Sequence, residues 1–206
     1  MSVGDQTLDA ALDGRRARRD RNRTAVVEAV YALLHEGEFP LSTESIAQRA
    51  GVSVSSVFRY FDGLDDLQRE TIDLYFQRCA ALFEVPRAGE GTIDVRIAAL
   101  VDARLALYRE IAPIARLARV RAPEYPLIAE RLTGTRALLL RQIRRHFAPE
   151  LRRLDRAAAG EMVALVDVLT SYESWDLMRT GSSLSERRIG AAWTAGLQAL
   201  LASRAH

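Results

Sequence analysis

Lysine is missing from the chain: all 29 basic residues among its 206 are arginine. Every cationic contact is therefore made by a planar guanidinium, which forks onto carboxylates or phosphates and stacks on rings, and never by a compact ammonium. There is one cysteine, Cys79, which excludes an internal disulfide and a cysteine-rich metal site, and it reads as a small apolar core residue. Three histidines, His35, His146 and His206, stand far apart with no metal-ligand spacing, so no metal or other cofactor is expected. No apolar run approaches the roughly 20 residues that cross a membrane. Residues 1–14 lack the basic start and apolar core of a secretory signal. The expectation is a cytoplasmic protein with no membrane partner. Sustained alternation of β-branched residues is absent as well, which argues against a sheet. So are internal repeats, a glycine-rich phosphate loop, a nucleophile–base pair and a carboxylate dyad, and an enzyme is not expected. Charge of one sign is scarce too. With 27 acidic residues the net charge is only +2, so nucleic-acid binding by bulk charge is excluded and only local clustering could support it.

What is present is a chain 49% hydrophobic and 27% charged, rich in helix formers, and long enough for a small N-terminal module plus a larger domain. Residues 1–14, small and acidic, read as a disordered tail. Arg15, Arg16, Arg18, Arg19, Arg21 and Arg23 then cluster, opposed locally only by Asp20. Behind them Val26, Val27, Val30, Leu33 and Leu34 recur at helical spacing up to Gly37. A second helix follows Ser42-Thr43 and stops at Gly51. A short third runs from Ser53 to about Tyr60, and a longer fourth, capped by Asp62, reaches about Phe83. The segment from Val85 to Gly91 reads as a linker. Five more helices are expected: 92–110, a short one from Pro113, 127–147, 155–180 and 184–204, the last opened by a Ser183-x-x-Glu186 capping box. The fold class is thus all-α with about nine helices. It divides into a tail (1–14), a helix-turn-helix module (15–62) and a helical bundle (63–206).

Residues 42–67 are the informative stretch. Ala47 is small enough for two short helices to cross, and Gly51 supplies the left-handed backbone of the turn. Ile46, Ala50, Val52 and Val57 form the apolar wedge. The third helix is too short to be stable alone, which leaves its outer side available for reading DNA. The succession Ile46-Ala47, Ala50-Gly51-Val52-Ser53, Phe58-Arg59-Tyr60-Phe61 and Asp65-Asp66-Leu67 resembles the TetR family of transcriptional repressors. About 50 residues carry that pattern; the rest matches in helix number, helix length and the tryptophans of the last two helices. The resemblance implies a homodimer that binds palindromic double-stranded operator DNA and is released by a small-molecule effector. It places Ser53, Val54, Ser55, Ser56 and Arg59 in the major groove, with Thr43 and Tyr60 near phosphates. The chain departs from the family at three positions: Phe58 replaces a common tyrosine, Leu64 a frequent lysine, and Val54 a frequent cation. Arg15, Arg16, Arg18 and Arg19 are expected to supply the missing phosphate contacts. Ser53 can cap the third helix as well as touch DNA, and Phe58, Tyr60 and Phe61 can equally be core residues, Phe61 first among them.

Beyond the linker no motif selects a site. Asp102, Arg104, Tyr108, Leu117, Tyr125, Met162, Tyr172 and Met178 are candidates to line an effector pocket, with ordinary core or surface roles as the alternative. Trp175 and Trp193 read as core or dimer packing. Ile189, Trp193, Gly196 and Leu200 share one helix face, and Met162, Leu165, Val166, Leu169 and Tyr172 another. Together they are expected to form a four-helix interface between subunits.

Overall fold

The computed structural model describes residues 3–38 and 40–202, with the side chains of 3–12 and 15 excepted. The described residues are helical, contain no strand, and form two compact units that divide after Gln77. The expected boundary lay at Asp62. It moves because the helix after Asp62 belongs to the first unit.

In the first unit α1 spans Val3–His35. A disordered tail was expected over 1–14; its first two residues lie outside the described residues, and from Val3 on the backbone is helical. Leu8, Ala10, Ala11 and Leu12 favour helix, and the isolated Gly14 costs only about 1 kcal/mol there. Val26, Val27, Ala29, Val30, Leu33 and Leu34 form its buried stripe. Against it pack α2 (Thr43–Ala50) and α3 (Val54–Tyr60). Helix α4 (Leu64–Arg78) adds Leu67, Ile72 and Tyr75 to this core. Asp62 does not cap α4 with its side chain; instead its backbone N–H donates to the Asp66 carboxylate at 3.3 Å. The helix ends at Arg78, and a 3₁₀ turn, Ala80–Phe83, replaces the expected last turn.

The second unit begins its main bundle with α5 (Ile93–Arg121), one helix where two were expected. Pro113 lies within it, so the Arg109 carbonyl loses its i+4 donor. Burial of Ile111, Ile114, Ala115, Leu117 and Ala118 on both sides of the proline keeps the axis continuous. Then come α6 (Pro126–His146), the single turn α7 (Ala148–Leu151), α8 (Arg156–Leu169), α9 (Tyr172–Asp176) and α10 (Glu186–Ala202). The expected single helix 155–180 is broken at Ser171, whose hydroxyl accepts from the Ser174 N–H at 3.0 Å and starts α9, which runs on into a π-helical turn. For α10 the cap is Ser185, accepting from Arg188 N–H at 3.4 Å, and not Ser183, which has φ of 51°. Tyr108, Tyr172, Trp175 and Trp193 form a buried aromatic cluster among α5, α9 and α10, with Tyr108 and Trp193 edge to face at 6.2 Å.

Candidate nucleic-acid interface

Helix α3 is held by local signals at both ends of the turn before it. The Ser42 hydroxyl accepts from Ser45 N–H at 3.0 Å and starts α2. At its end Gly51 adopts φ 67°, and Gly51 and Val52 donate to the carbonyls of Gln48 and Ala47 at 3.2 and 3.0 Å. This is a Schellman closure, which needs a residue at ease in the left-handed region. Two residues later the Ser53 hydroxyl accepts from Ser56 N–H at 3.2 Å and starts α3. Ile46, Ala47 and Val57 are buried where the helices cross, as is Phe61 just beyond α3.

The same geometry leaves the outer side of α3 available. Ser53, Ser55 and Arg59 are exposed, Val54 and Ser56 half-buried. The hydroxyls are linked: Ser53 Oγ lies 3.0 Å from Ser55 Oγ and 2.9 Å from Ser56 Oγ, and Arg59 donates to Ser56 Oγ at 3.0 Å. Arg16, Arg18 and Arg19 are exposed on α1; the Arg15 side chain lies outside the described residues. Arg18, Arg19 and Asn22 join Gly51, Val52, Ser56, Arg59 and Tyr60 in one concave surface of about 530 Å³. Thr43 is half-buried at the start of α2 and does not line it. The concavity carries three guanidiniums and no carboxylate, a donor-rich surface suited to an anionic backbone.

The structure decides four positions that the sequence pattern left open or did not mark. Arg23, in line with the cationic cluster, turns inward: it pairs with Glu70, donates to the Tyr60 carbonyl and lies 4.5 Å over the Phe61 ring. It ties α1 to the end of α3 and to α4. Tyr60 is buried and borders the concavity. Asn22 donates to its hydroxyl oxygen at 3.0 Å, and this bond, followed by Arg59, holds the phenol below its ordinary pKa. Asn22 itself carried no sequence signal; only its register three residues after Arg19 hinted at the same helix face. Phe58 is 59% exposed and not part of the core.

In the second unit the eight candidate pocket residues are not gathered at one site, although Tyr108 and Tyr172 pack edge to face in the aromatic cluster. Tyr108, Leu117 and Tyr172 are core; Asp102 is exposed; Tyr125 and Met178 are half-buried. Tyr108 donates to the Thr170 carbonyl at 2.8 Å, and burial pushes its phenol pKa up. Arg104 is 2% exposed and donates to Gln142 at 3.0 Å, its pKa lowered by burial. Of the eight, only Met162 lines the cavity of about 370 Å³ in this unit. Ile189 and Trp193 are fully buried within the chain, so they cannot face a partner as expected, whereas Leu165 and Val168 on α8 are exposed. Gly196 allows a close approach inside the chain: a Cβ there would stand 3.0 Å from Leu169.

An all-helical chain with an N-terminal helix-turn-helix unit followed by a helical bundle is thus the architecture defined. No protein-family model and no curated protein matches it. Among solved structures, the chain is similar to a transcriptional regulator from Pseudomonas aeruginosa PAO1 (TM-score 0.63, 20% identity, covering 87% of this chain and 90% of that one). It is similar to a transcriptional regulator from a Rhodococcus species (TM-score 0.61, 22% identity, 90% and 96%). A third is a Mesorhizobium loti protein assigned to the TetR family (TM-score 0.57, 19% identity, 90% and 98%). These likenesses establish a shared fold. No described helix is long and apolar enough to cross a membrane.

Proposed function

We propose that this chain is a DNA-binding transcriptional regulator of the TetR kind, a homodimer that represses from a palindromic operator and is released by a small molecule. The observation that carries the reading is the single concavity in which Arg18, Arg19 and Asn22 of α1 stand beside Ser56 and Arg59 of the outward-facing α3. Arg59 and the serines would read base edges, and Arg16, Arg18 and Arg19 would take phosphates. The similarity in fold to solved transcriptional regulators supports the same reading. A dimer follows from the reading itself. A seven-residue helix contacts too few bases alone, and two of them about 34–36 Å apart read a two-fold site. Leu165 and Val168, exposed three residues apart on α8, are apolar side chains that a partner would cover. Effector binding in the second unit would favour a conformer with different half-site spacing.

Selection of the purified protein on random duplexes tests this directly, and a palindromic consensus is the expected result. On that consensus, Arg18→Ala with Arg19→Ala should weaken binding to all duplexes and flatten the log–log salt dependence by about 1.8, roughly 0.9 per lost phosphate contact. Arg59→Ala should instead erase preference at one or two positions. Failure to retain any duplex at low salt overturns the proposal.

A further inference from the structure

The cavity of about 370 Å³ in the second unit is lined by residues from the start of α5, from α7 and the segment after it, and from α8 and the end of α10. Its apolar walls include Ile97, Leu154, Met162 and Leu201. Its volume falls at the lower end of the range for small-molecule sites. Asp94, Glu150, Arg153 and Gln198 are its polar groups. Their charges are balanced: Asp94 and Glu150 are opposed by Arg153 in the lining and by the buried Arg96, which pairs with Glu150. A ligand with net charge would add an unmatched charge among apolar walls, which is unfavourable. Arg153 is exposed to solvent, and the unmet hydrogen-bonding capacity in the buried part of the lining is for a donor. Asp94 Oδ1 already accepts from Gln198 at 2.9 Å, and Glu150 Oε2 is buried with no hydrogen-bond partner. An ionised carboxylate can only accept.

We propose that this cavity binds an uncharged, largely aliphatic molecule with one hydrogen-bond-donating head, such as a hydroxyl, and that this molecule is the effector. Only the step from occupancy to operator release rests on the regulator reading; the binding itself does not.

Calorimetric titration of the full chain with 1-octanol, octanoate and octylamine tests it without DNA. Octanol should bind, and each charged analogue should bind roughly tenfold or more weakly. Ala202 lines the cavity yet is exposed, so Ala202→Trp should block octanol while leaving the thermal melt unchanged. With Arg96 counted beside Arg153 and Glu150, Asp94→Asn leaves the site one positive charge in excess and should shift preference toward octanoate; Arg153→Ala should shift it toward octylamine. No heat with octanol, equal binding of the three compounds, or unchanged affinity in Ala202→Trp overturns the site. If octanol binds but selected duplexes are never retained, the regulator reading fails and the site stands. If duplexes are retained and octanol does not bind, the reverse holds.

Discussion

Arginines of one cluster take different roles because their positions on α1 differ. Arg16, Arg18 and Arg19 point to solvent, whereas Arg23 meets Glu70, the Tyr60 carbonyl and the Phe61 face. Arg23→Ala should therefore lower stability by about 1–2 kcal/mol, since charge-assisted bonds at a partly exposed site are weakened by solvent. The salt slope of DNA binding should stay unchanged, so a melt and a salt titration on one sample separate it from Arg18 and Arg19. His146 links stability to pH. Its Nδ1 accepts from Gly89 N–H at 3.2 Å, so Nε2 carries the proton donated to the Arg96 carbonyl at 2.7 Å, and the ring is neutral. Burial lowers its pKa, helped by the charges of Arg96 and Arg104 and opposed by the Arg96 carbonyl and Glu150. As pH falls through about 6.5 the unfolded chain takes up a proton that the folded ring refuses, so stability is lost below that value and is complete above it. His146→Gln should be less stable at pH 7.5 and should show a flatter decline between pH 7 and 5 by denaturant titration.

Each boundary that the sequence located well has a cap made from a few neighbouring residues: Ser42 before α2, Gly51 after it, Ser53 before α3. The boundaries it missed depend on more distant packing. Continuity of α5 through Pro113 is decided by apolar burial on both flanks, not by the proline. Pro113→Ala restores a donor to the Arg109 carbonyl and should raise stability by about 1–3 kcal/mol, read as a higher melting temperature. A lower one would mean that the proline relieves a packing constraint. The break at Ser171 shows the converse. A local hydroxyl cap ended a helix that the apolar pattern alone would have continued.

For the whole molecule the decisive question is which apolar surface stays uncovered. The faces expected to pair subunits are largely spent inside the chain: Met162, Val166, Tyr172, Ile189 and Trp193 are all buried. Of those faces Leu165 is 46% exposed and Leu169, Gly196 and Leu200 are half-buried, and Val168, beside Leu165 on α8 but outside the expected set, is 58% exposed. Leu165→Glu with Val168→Glu should convert a dimer to monomer in sedimentation and abolish binding to a palindromic duplex, with the helical content retained. A dimer that survives both charges would move the interface elsewhere.

The sequence by itself determined the all-helical class, the turn at Gly51, the caps of α2 and α3, and the outward set Ser53, Ser55 and Arg59, because these depend on residues within one or two helical turns of each other. Only the tertiary structure decided that Arg23 faces inward, that Asn22 joins Tyr60, that Phe58 is exposed and that a cavity opens around Met162. Those outcomes depend on which helix faces meet across long stretches of chain, and a periodic apolar pattern states that a face is buried without stating what covers it.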